Sequence, residues 1–395
     1  MAQIIKRKDN YLIQVSCGYD TSGKQVTQSM TYIPEIGLSD RQIQKELTRQ
    51  AVMFEDKCRG GQIVNSVKFQ TFAEQWFKEY AEIQMKIKSV ERYKMLQART
   101  YAAIGHLRLD KITVRNLQSF INSLSADGIN QNTGGKLAPK TIKHYLSFIS
   151  SIFAYAVKMG VVTENPCHRV SLPPAENIEQ ECYTLEEAQH LLDLLQSAPT
   201  KYRAFFTLAM YGGFRRAELL GLEWKDIDFE SGLVKIERTS LYTKELGQFT
   251  DTPKTKGSRR CLKLPPEVMF VLKQHQNEQL SQILKLGNQW QRLDRLFTAW
   301  NGEPMHGVTP YSWLKKFCER NNMRFLNVHS FRHLNASLLI NNGVDVKTVS
   351  ACLGHSNTTT TLTIYAHTFA EAKARAMDTV GNALNFHDTK QDKAQ

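Results

Sequence analysis

The sequence predicts a multidomain chain, mainly α with small β-sheets. It has an N-terminal β-hairpin or three-stranded sheet plus helix, a helical middle segment and an α+β last domain. Three observations predict this. The chain has 395 residues, too many for one ordinary domain. Runs rich in Tyr, Ile, Val and Thr flank a Gly-containing turn near the N-terminus. From about residue 65 the apolar residues recur instead at helical spacing, between Ser or Thr starts and Gly or Pro stops.

The elements follow in order. "NYLIQVSCGYD" and "KQVTQSMTYIP", joined by "DTSGK", read as a hairpin. Ser39 opens a helix through the capping box "SDRQ"; that helix runs to about Cys58 and stops at Gly60-Gly61. An early basic cluster, Lys6, Arg7 and Lys8, precedes it. "TFAE" from Thr71 is a second capping box, followed by Phe72, Trp76 and Tyr80 at i, i+4 and i+8. A helix through "SVERYKMLQARTYAAIG" ends at Gly105, and "TVRNLQSFINSL" puts Leu117, Phe120, Ile121 and Leu124 on one face. "APKTIKHYLSFISSIFAYAVKMG" has Pro139 in its first turn, Gly160 as C-terminal stop and an apolar stripe of Ile142, Tyr145, Ile149, Ile152, Phe153 and Ala156. Lys140 and Lys143 on this helix are candidates for a phosphate-facing edge, with a solvated surface as the alternative.

Pro173-Pro174 and the aperiodic polar run after them read as a linker. "TLEE" from Thr184 opens the next helix, with Leu185, Ala188, Leu191, Leu192 and Leu195 on its inner face. "GLVKIERTSLY" and "RRCLKLP" read as short strands flanking a loop, and the rest is helical. The segments are 1–62, 63–170, a linker at 171–182, 183–386, and a polar tail at 387–395.

Formal net charge is +13, which points to a polyanionic partner, with solubility as the plainer reading. There is no apolar run long enough for a membrane span and no signal core at the N-terminus. Seven scattered cysteines without a C-x-x-C argue against a disulfide framework or zinc site and fit a reducing cytoplasm.

Four islands in the last segment carry chemistry. They are "GGFRRAELLGLEW" with Arg215 and Glu218, "TPKTKGSRR" with Lys254, Lys256, Arg259 and Arg260, "HSFRH" with His329, Arg332 and His333, and "SACLGHSNTTTTLTIYAH" with His355 and Tyr365. Each alone has a plain explanation: an i, i+3 surface pair, a solvated turn, a helix face, or a helix-turn-helix. Together they fit phosphodiester cleavage without a metal. Guanidiniums stabilise charge on the non-bridging oxygens, a lysine protonates the leaving oxygen, and histidine assists. A tyrosine, with a phenol pKa of about 10, makes an ester that can be reversed. No paired-Asp motif of the kind that holds Mg²⁺ is present, so no cofactor is expected.

The four islands, in this order, resemble those of tyrosine recombinases, the phage and transposon integrase family. The resemblance implies that Arg215, His329, Arg332, His355 and Tyr365 are catalytic and Glu218 supporting, with Lys254 favoured over Lys256 as the lysine. Ala217 stands where many members have Gly or Ser, a small-for-small exchange. The resemblance implies an arm-type DNA-binding domain, a helical (SAM-like) core-binding domain and a catalytic domain that cut and rejoin duplex DNA through a 3′-phosphotyrosyl link to integrate or excise a mobile element. Lys6, Lys8, Lys140, Lys143, Lys256 and Arg259 are the DNA-contact candidates. Implied partners are core and arm sites on double-stranded DNA, a homotetramer on two duplexes formed from monomers, exchange of the segment after Tyr365, and an excisionase or host DNA-bending protein, in the cytoplasm at the nucleoid. Two alternatives stay open: a type IB topoisomerase and a non-catalytic helix-turn-helix regulator. Gly354 is expected to end the helix "VDVKTVSACL" so that His355 faces the phosphate. The threonines are expected to cap the next helix, with backbone contact to DNA as the alternative, and to bring Tyr365 opposite the arginines.

Overall fold

A computed structural model describes residues 2–7, 10–19, 24–35, 37–59, 67–174, 181–253, 256–366 and 368–369. The chain divides into two compact units, Met1–Asn177 and Ile178–Gln395. The stop at Gly60-Gly61, the middle of the linker, Lys8, Lys254 and the polar tail lie outside the described residues.

In the first unit, β1 (Gln3–Arg7), β2 (Asn10–Tyr19) and β3 (Gln25–Tyr32) form an antiparallel meander, so the predicted hairpin gains a strand at its N-terminal edge. Alternation puts Ile13 and Val15 on one face, where they pack on Leu47, Ala51 and Phe54 of α1 (Asp40–Arg59). Ser39 starts α1 as expected, but both its N–H and its hydroxyl donate to the Gln42 side-chain oxygen. Lys6 lies on exposed β1, its ammonium 5.9 Å from the Tyr11 ring centroid.

A second apolar core of this unit is helical. It comprises α2 (Phe69–Trp76), which runs through a wide turn at Phe77–Ala81 into the single turn α3 (Glu82–Gln84), then α4 (Ile87–Thr100), α5 (Val114–Ser123) and α6 (Pro139–Lys158). The expected cap at Thr71 is wrong. The helix starts at Phe69, whose N–H donates to Leu107 O at 2.8 Å and whose ring is fully buried, leaving Thr71 inside the first turn. The stripe expected on α6 is buried throughout, and Gly160 takes the left-handed conformation (φ +70°) that closes it. Lys140, Lys143 and Arg92 are exposed, and their charges act on the His144 imidazole, whose pKa burial and then these three neighbours lower.

The second unit opens with α7 (Leu185–Leu194), where Thr184 and Glu187 make the expected reciprocal cap. Ala188, Leu191 and Leu195 are buried and Leu192 is half-buried, but Leu185 is 58% exposed because the first turn projects beyond the core. α8 (Thr200–Gly212) supplies Phe205 and Phe206 to that core, followed by α9 (Arg216–Leu219). The strands β4 (Ile227–Asp228), β5 (Leu233–Ile236) and β8 (Arg260–Lys263) form one sheet in the order β4-β5-β8, and β6 (Thr239–Thr243) pairs with β7 (Gly247–Asp251) as a hairpin. α10 (Pro266–Leu286), α11 (Thr309–Arg320), α12 (Ser330–Asn341), α13 (Val346–Leu353) and α14 (Thr358–Ile364) complete the unit. The layout is mainly helical with small antiparallel sheets, as the sequence predicts. Among the described residues no helix is long and apolar enough to cross a membrane.

Candidate active site

The site begins where α8 ends. Gly213 is left-handed (φ +57°), and a Cβ there would meet Asn335 Oδ1 at 2.7 Å. This turn sets Arg215 at the N-cap of α9. Glu218, 1% exposed, reaches back to accept the Arg215 N–H at 3.0 Å and its Nη1 at 2.7 Å. Arg260 Nη2 donates to the other side of the same carboxylate at 2.9 Å. The i, i+3 pair is therefore no solvated surface bridge: one buried carboxylate holds two guanidiniums. Burial pushes the Glu218 pKa up, but Arg260 and then Arg215 outweigh it, and the net pKa falls below the usual carboxylate range.

Three arginines converge on the C-terminus of α13. Arg260 Nε donates to Cys352 O at 2.7 Å, Arg332 Nη2 to Leu353 O at 2.6 Å, and Arg215 Nη2 to Gly354 O at 3.2 Å. A helix leaves its last carbonyls without intrahelical partners and carries partial negative charge there. Each of these three consecutive carbonyls accepts from a different guanidinium. Arg332 also donates Nη1 to Gly213 O at 2.8 Å and is 2% exposed. Burial, then Arg215, push its pKa below the usual arginine range, and the guanidinium stays charged at neutral pH. Gly354 ends α13 in the left-handed region (φ +66°), as expected, and its missing Cβ makes room for Arg260 Nη1, which a Cβ would approach at 2.8 Å.

Gly354 delivers His355, whose Nδ1 lies 2.8 Å from Thr361 Oγ1. The threonines do not cap α14. Asn357 does, its side chain accepting the Thr359 N–H at 2.9 Å. The four threonines are the helix itself, with Thr361 fully buried under His355. Burial, then Arg332, Arg215 and Arg260, pull His355 to about 4. His329 is also pulled to about 4, by the atoms crowding its ring and then by His333 and Arg332, although the residue as a whole is exposed. The site thus presents neutral imidazoles beside fixed cations at pH 7.

Tyr365 follows α14. It is 5% exposed and packs with Ala336, Ile340, Val349 and Leu353. Its phenol lies 3.1 Å from His333 Nδ1, and among the described residues no arginine hydrogen-bonds to it. The expectation that Tyr365 stands opposite the arginines is met only in part: Arg332 is close enough to lower the phenol pKa, while burial pushes it up to about 12.

Arg215, Glu218, His329, Arg332, His355 and Tyr365 are thus drawn to one place by α8, α9, α12, α13 and α14. The lysine-bearing segment comes close as well, since a Cβ on Gly257 would meet Ser356 Cα at 3.8 Å and His355 O at 3.9 Å. Lys254 lies outside the described residues, and Lys256 falls in the short turn Lys256–Ser258. Arg259 is exposed, whereas its neighbour Arg260, named in the same island but given no role by the sequence, enters the site. Lys6, Lys140 and Lys143 belong to the other unit. His333, named in the same island but given no role by the sequence, lies one helical turn from His329 on the same face.

His355 and the core histidine His275, which lies 2.8 Å from Leu296 O, are both pulled to about 4, burial being the first cause. In the unfolded chain each titrates at about 6.5. The unfolded state therefore binds more protons between these values, and stability is lost as pH falls through the window from about 6.5 to about 4. Thermal melts between pH 7 and pH 4 are expected to show a falling Tm there; a flat profile would contradict it.

Residues 181–372 match the phage integrase family, and residues 68–171 match the phage integrase SAM-like domain. A XerC-like tyrosine recombinase of Caldanaerobacter subterraneus subsp. tengcongensis is 28% identical over 397 residues, covering 95% of this chain and 96% of its own. The Tn1549 transposon integrase in complex with transposon right end DNA has a similar fold (TM-score 0.65, 19% identity, 80% of this chain and 100% of that one). So does a lambda integrase tetramer bound to a Holliday junction (TM-score 0.53, 18% identity, 91% and 93%).

Proposed function

From the premise that this chain belongs to the phage integrase family of tyrosine recombinases, enzymes that transfer DNA strands, we propose that Tyr365 is the nucleophile. Its oxygen attacks a scissile phosphate and forms a 3′-phosphotyrosyl link while the 5′ oxygen leaves. Lys254, with Lys256 as the alternative, gives that oxygen its proton. Arg215 and Arg332 bind the non-bridging oxygens, and His329 and His355 assist as neutral imidazoles, one of them taking the proton that the Tyr365 phenol gives up. Glu218 holds Arg215 in place.

The observation that carries this reading is the convergence of Arg215, Arg260 and Arg332 on one helix end, with the Tyr365 phenol packed against the same helix. Like charges gather at such density only where something negative holds them, and here a phosphate can take over from carbonyl oxygens. Arg332 is 2% exposed, so Arg215, whose side chain is 36% exposed, meets the phosphate first.

Residues 1–62 act as an arm-type DNA-binding domain, 63–170 as the core-binding domain and 183–386 as the catalytic domain, joined by 171–182 and followed by a tail at 387–395. Lys6, Lys8, Lys140, Lys143, Lys256 and Arg259 contact DNA backbone. The exposed cluster of Arg92, Lys140 and Lys143 supports that role on the middle domain. Four protomers on two duplexes exchange the segment after Tyr365, with an excisionase or host DNA-bending protein setting direction; the lambda tetramer supports the assembly.

The test uses duplexes from the ends of the element that carries the gene, nicked near the crossover so that cleavage releases a short fragment. A denaturing gel run after incubation in EDTA is expected to show a protein–DNA adduct, and peptide mapping is expected to place it on Tyr365. Binding without an adduct on several correct-end duplexes would turn the reading to a DNA-binding regulator.

A further inference from the structure

His333 takes no part in the mechanism above, yet it is the residue hydrogen-bonded to the proposed reacting oxygen. Both partners of the Tyr365–His333 contact are buried, at 5% and 7% exposure, and Oη lies 3.1 Å from Nδ1. The imidazole itself is braced. It rises from α12 next to Arg332, and the His329 ring meets it edge to face at 4.8 Å and 90°. The two rings of the pair lie 5.6 Å apart. Burial, then Arg332, lower the His333 pKa, so the ring is neutral at neutral pH, and the tautomer with its proton on Nε2 leaves Nδ1 free to accept from the phenol. A tyrosine just past the end of a seven-residue helix has little of its own to fix its torsions. The apolar walls around the ring leave the hydroxyl direction open, because a hydrocarbon contact does not orient an O–H.

Resting on the reading of Tyr365 as nucleophile, we propose that His333 is a positioning residue: its Nδ1 accepts the Tyr365 hydroxyl and fixes where the oxygen and its proton point before a phosphate arrives. A misplacement of about 1 Å at a reacting atom costs on the order of 10²-fold in rate. The acceptor should therefore matter to the cleavage step and not to DNA affinity.

Three substitutions separate this role from simple packing. His333→Leu keeps the bulk and removes the acceptor. His333→Asn restores an amide oxygen near the place of Nδ1. His333→Gln carries its amide near the place of Nε2, too far along to substitute. Single-turnover adduct formation is measured on the nicked duplexes with the full chain, together with DNA affinity and a thermal melt, and with Tyr365→Phe run alongside. The expected pattern is about a 10²-fold slower adduct for His333→Leu and His333→Gln at unchanged affinity, and recovery of most of the rate in His333→Asn. If His333→Leu fails to fold, the contrast between His333→Asn and His333→Gln decides alone. Wild-type rates in His333→Leu, or equal loss in His333→Asn and His333→Gln, would overturn the inference while a silent Tyr365→Phe leaves the nucleophile standing. An adduct from Tyr365→Phe would overturn both.

Discussion

Tyr365→Phe is expected to abolish covalent protein–DNA complex formation, a loss of about three orders of magnitude or more in strand cleavage, with DNA affinity kept. The exchange removes one oxygen and leaves the ring. That ring contributes to a buried cluster with Ala336, Ile340, Val349 and Leu353, so the fold around it stays filled. The lost hydrogen bond leaves His333 Nδ1 without its partner, at a cost of about 1–3 kcal/mol. That is a tolerable fraction of the stability of an ordinary domain. Thr361, the buried hydroxyl of the adjoining helix, is engaged with His355. The denaturing gel described above checks this, and a persistent adduct in the variant would mean that a different residue attacks.

The second large effect is expected at Glu218. Its carboxylate is buried and answers two guanidiniums, Arg215 at 2.7 Å and Arg260 at 2.9 Å. Glu218→Ala leaves both cations close together without a counter-charge. Removing one partner from a buried ionic network costs about 3–5 kcal/mol. For a unit of this size that is a fall in Tm on the order of 10 °C. Cleavage is expected to be lost with it, because Arg215 loses the partner that fixes its direction. Glu218→Gln retains acceptor geometry for one guanidinium and is expected to fall between Glu218→Ala and wild type in both measurements. The net-lowered pKa of Glu218 fixes the sign of its pH dependence. Its contribution is present above the carboxylate's unfolded value of about 4.3 and is lost as pH falls through the lower folded value. A Glu218→Ala protein that melts and cleaves like wild type would show that the carboxylate organises nothing.

Much of this architecture is legible in the sequence because its signals are local. Thr184 and Glu187 cap α7 reciprocally, the α6 stripe is buried, and Gly354 turns left-handed at the end of α13. What was misread depends on neighbours distant in sequence. Thr71 and Glu74 have the spacing of a cap, but Phe69 is drawn into the core and the Leu107 carbonyl fixes its N–H, so the helix begins earlier. The four threonines are expected as a cap, and their β-branching is a weak bias against helix that packing overrides. Here Asn357 starts the helix and Thr361 is buried against His355. Within the site, motif order marked Arg215, His329, Arg332, His355 and Tyr365. It did not separate Arg259 from Arg260, because the pattern fixes that a basic residue is present and only the direction of β8 decides which one turns toward Glu218. The role of His333 is hidden in the sequence for a similar reason: its partner is 32 residues away, and only the folded chain brings the two together.

The three arginines grip α13 by main-chain oxygens alone, at positions 352, 353 and 354. A carbonyl is the same whatever side chain it carries. Cys352, half-buried, can therefore drift to other residues without loosening Arg260, and Leu353 is constrained by the core it fills and not by Arg332. Only Gly354 is bound by identity, through its φ of +66° and the space it leaves for Arg260. The inherited constraint thus falls on the residues that reach and spares much of what they reach for. The end of this helix can be rewritten, by descent or by an engineer, while the cationic centre keeps its shape.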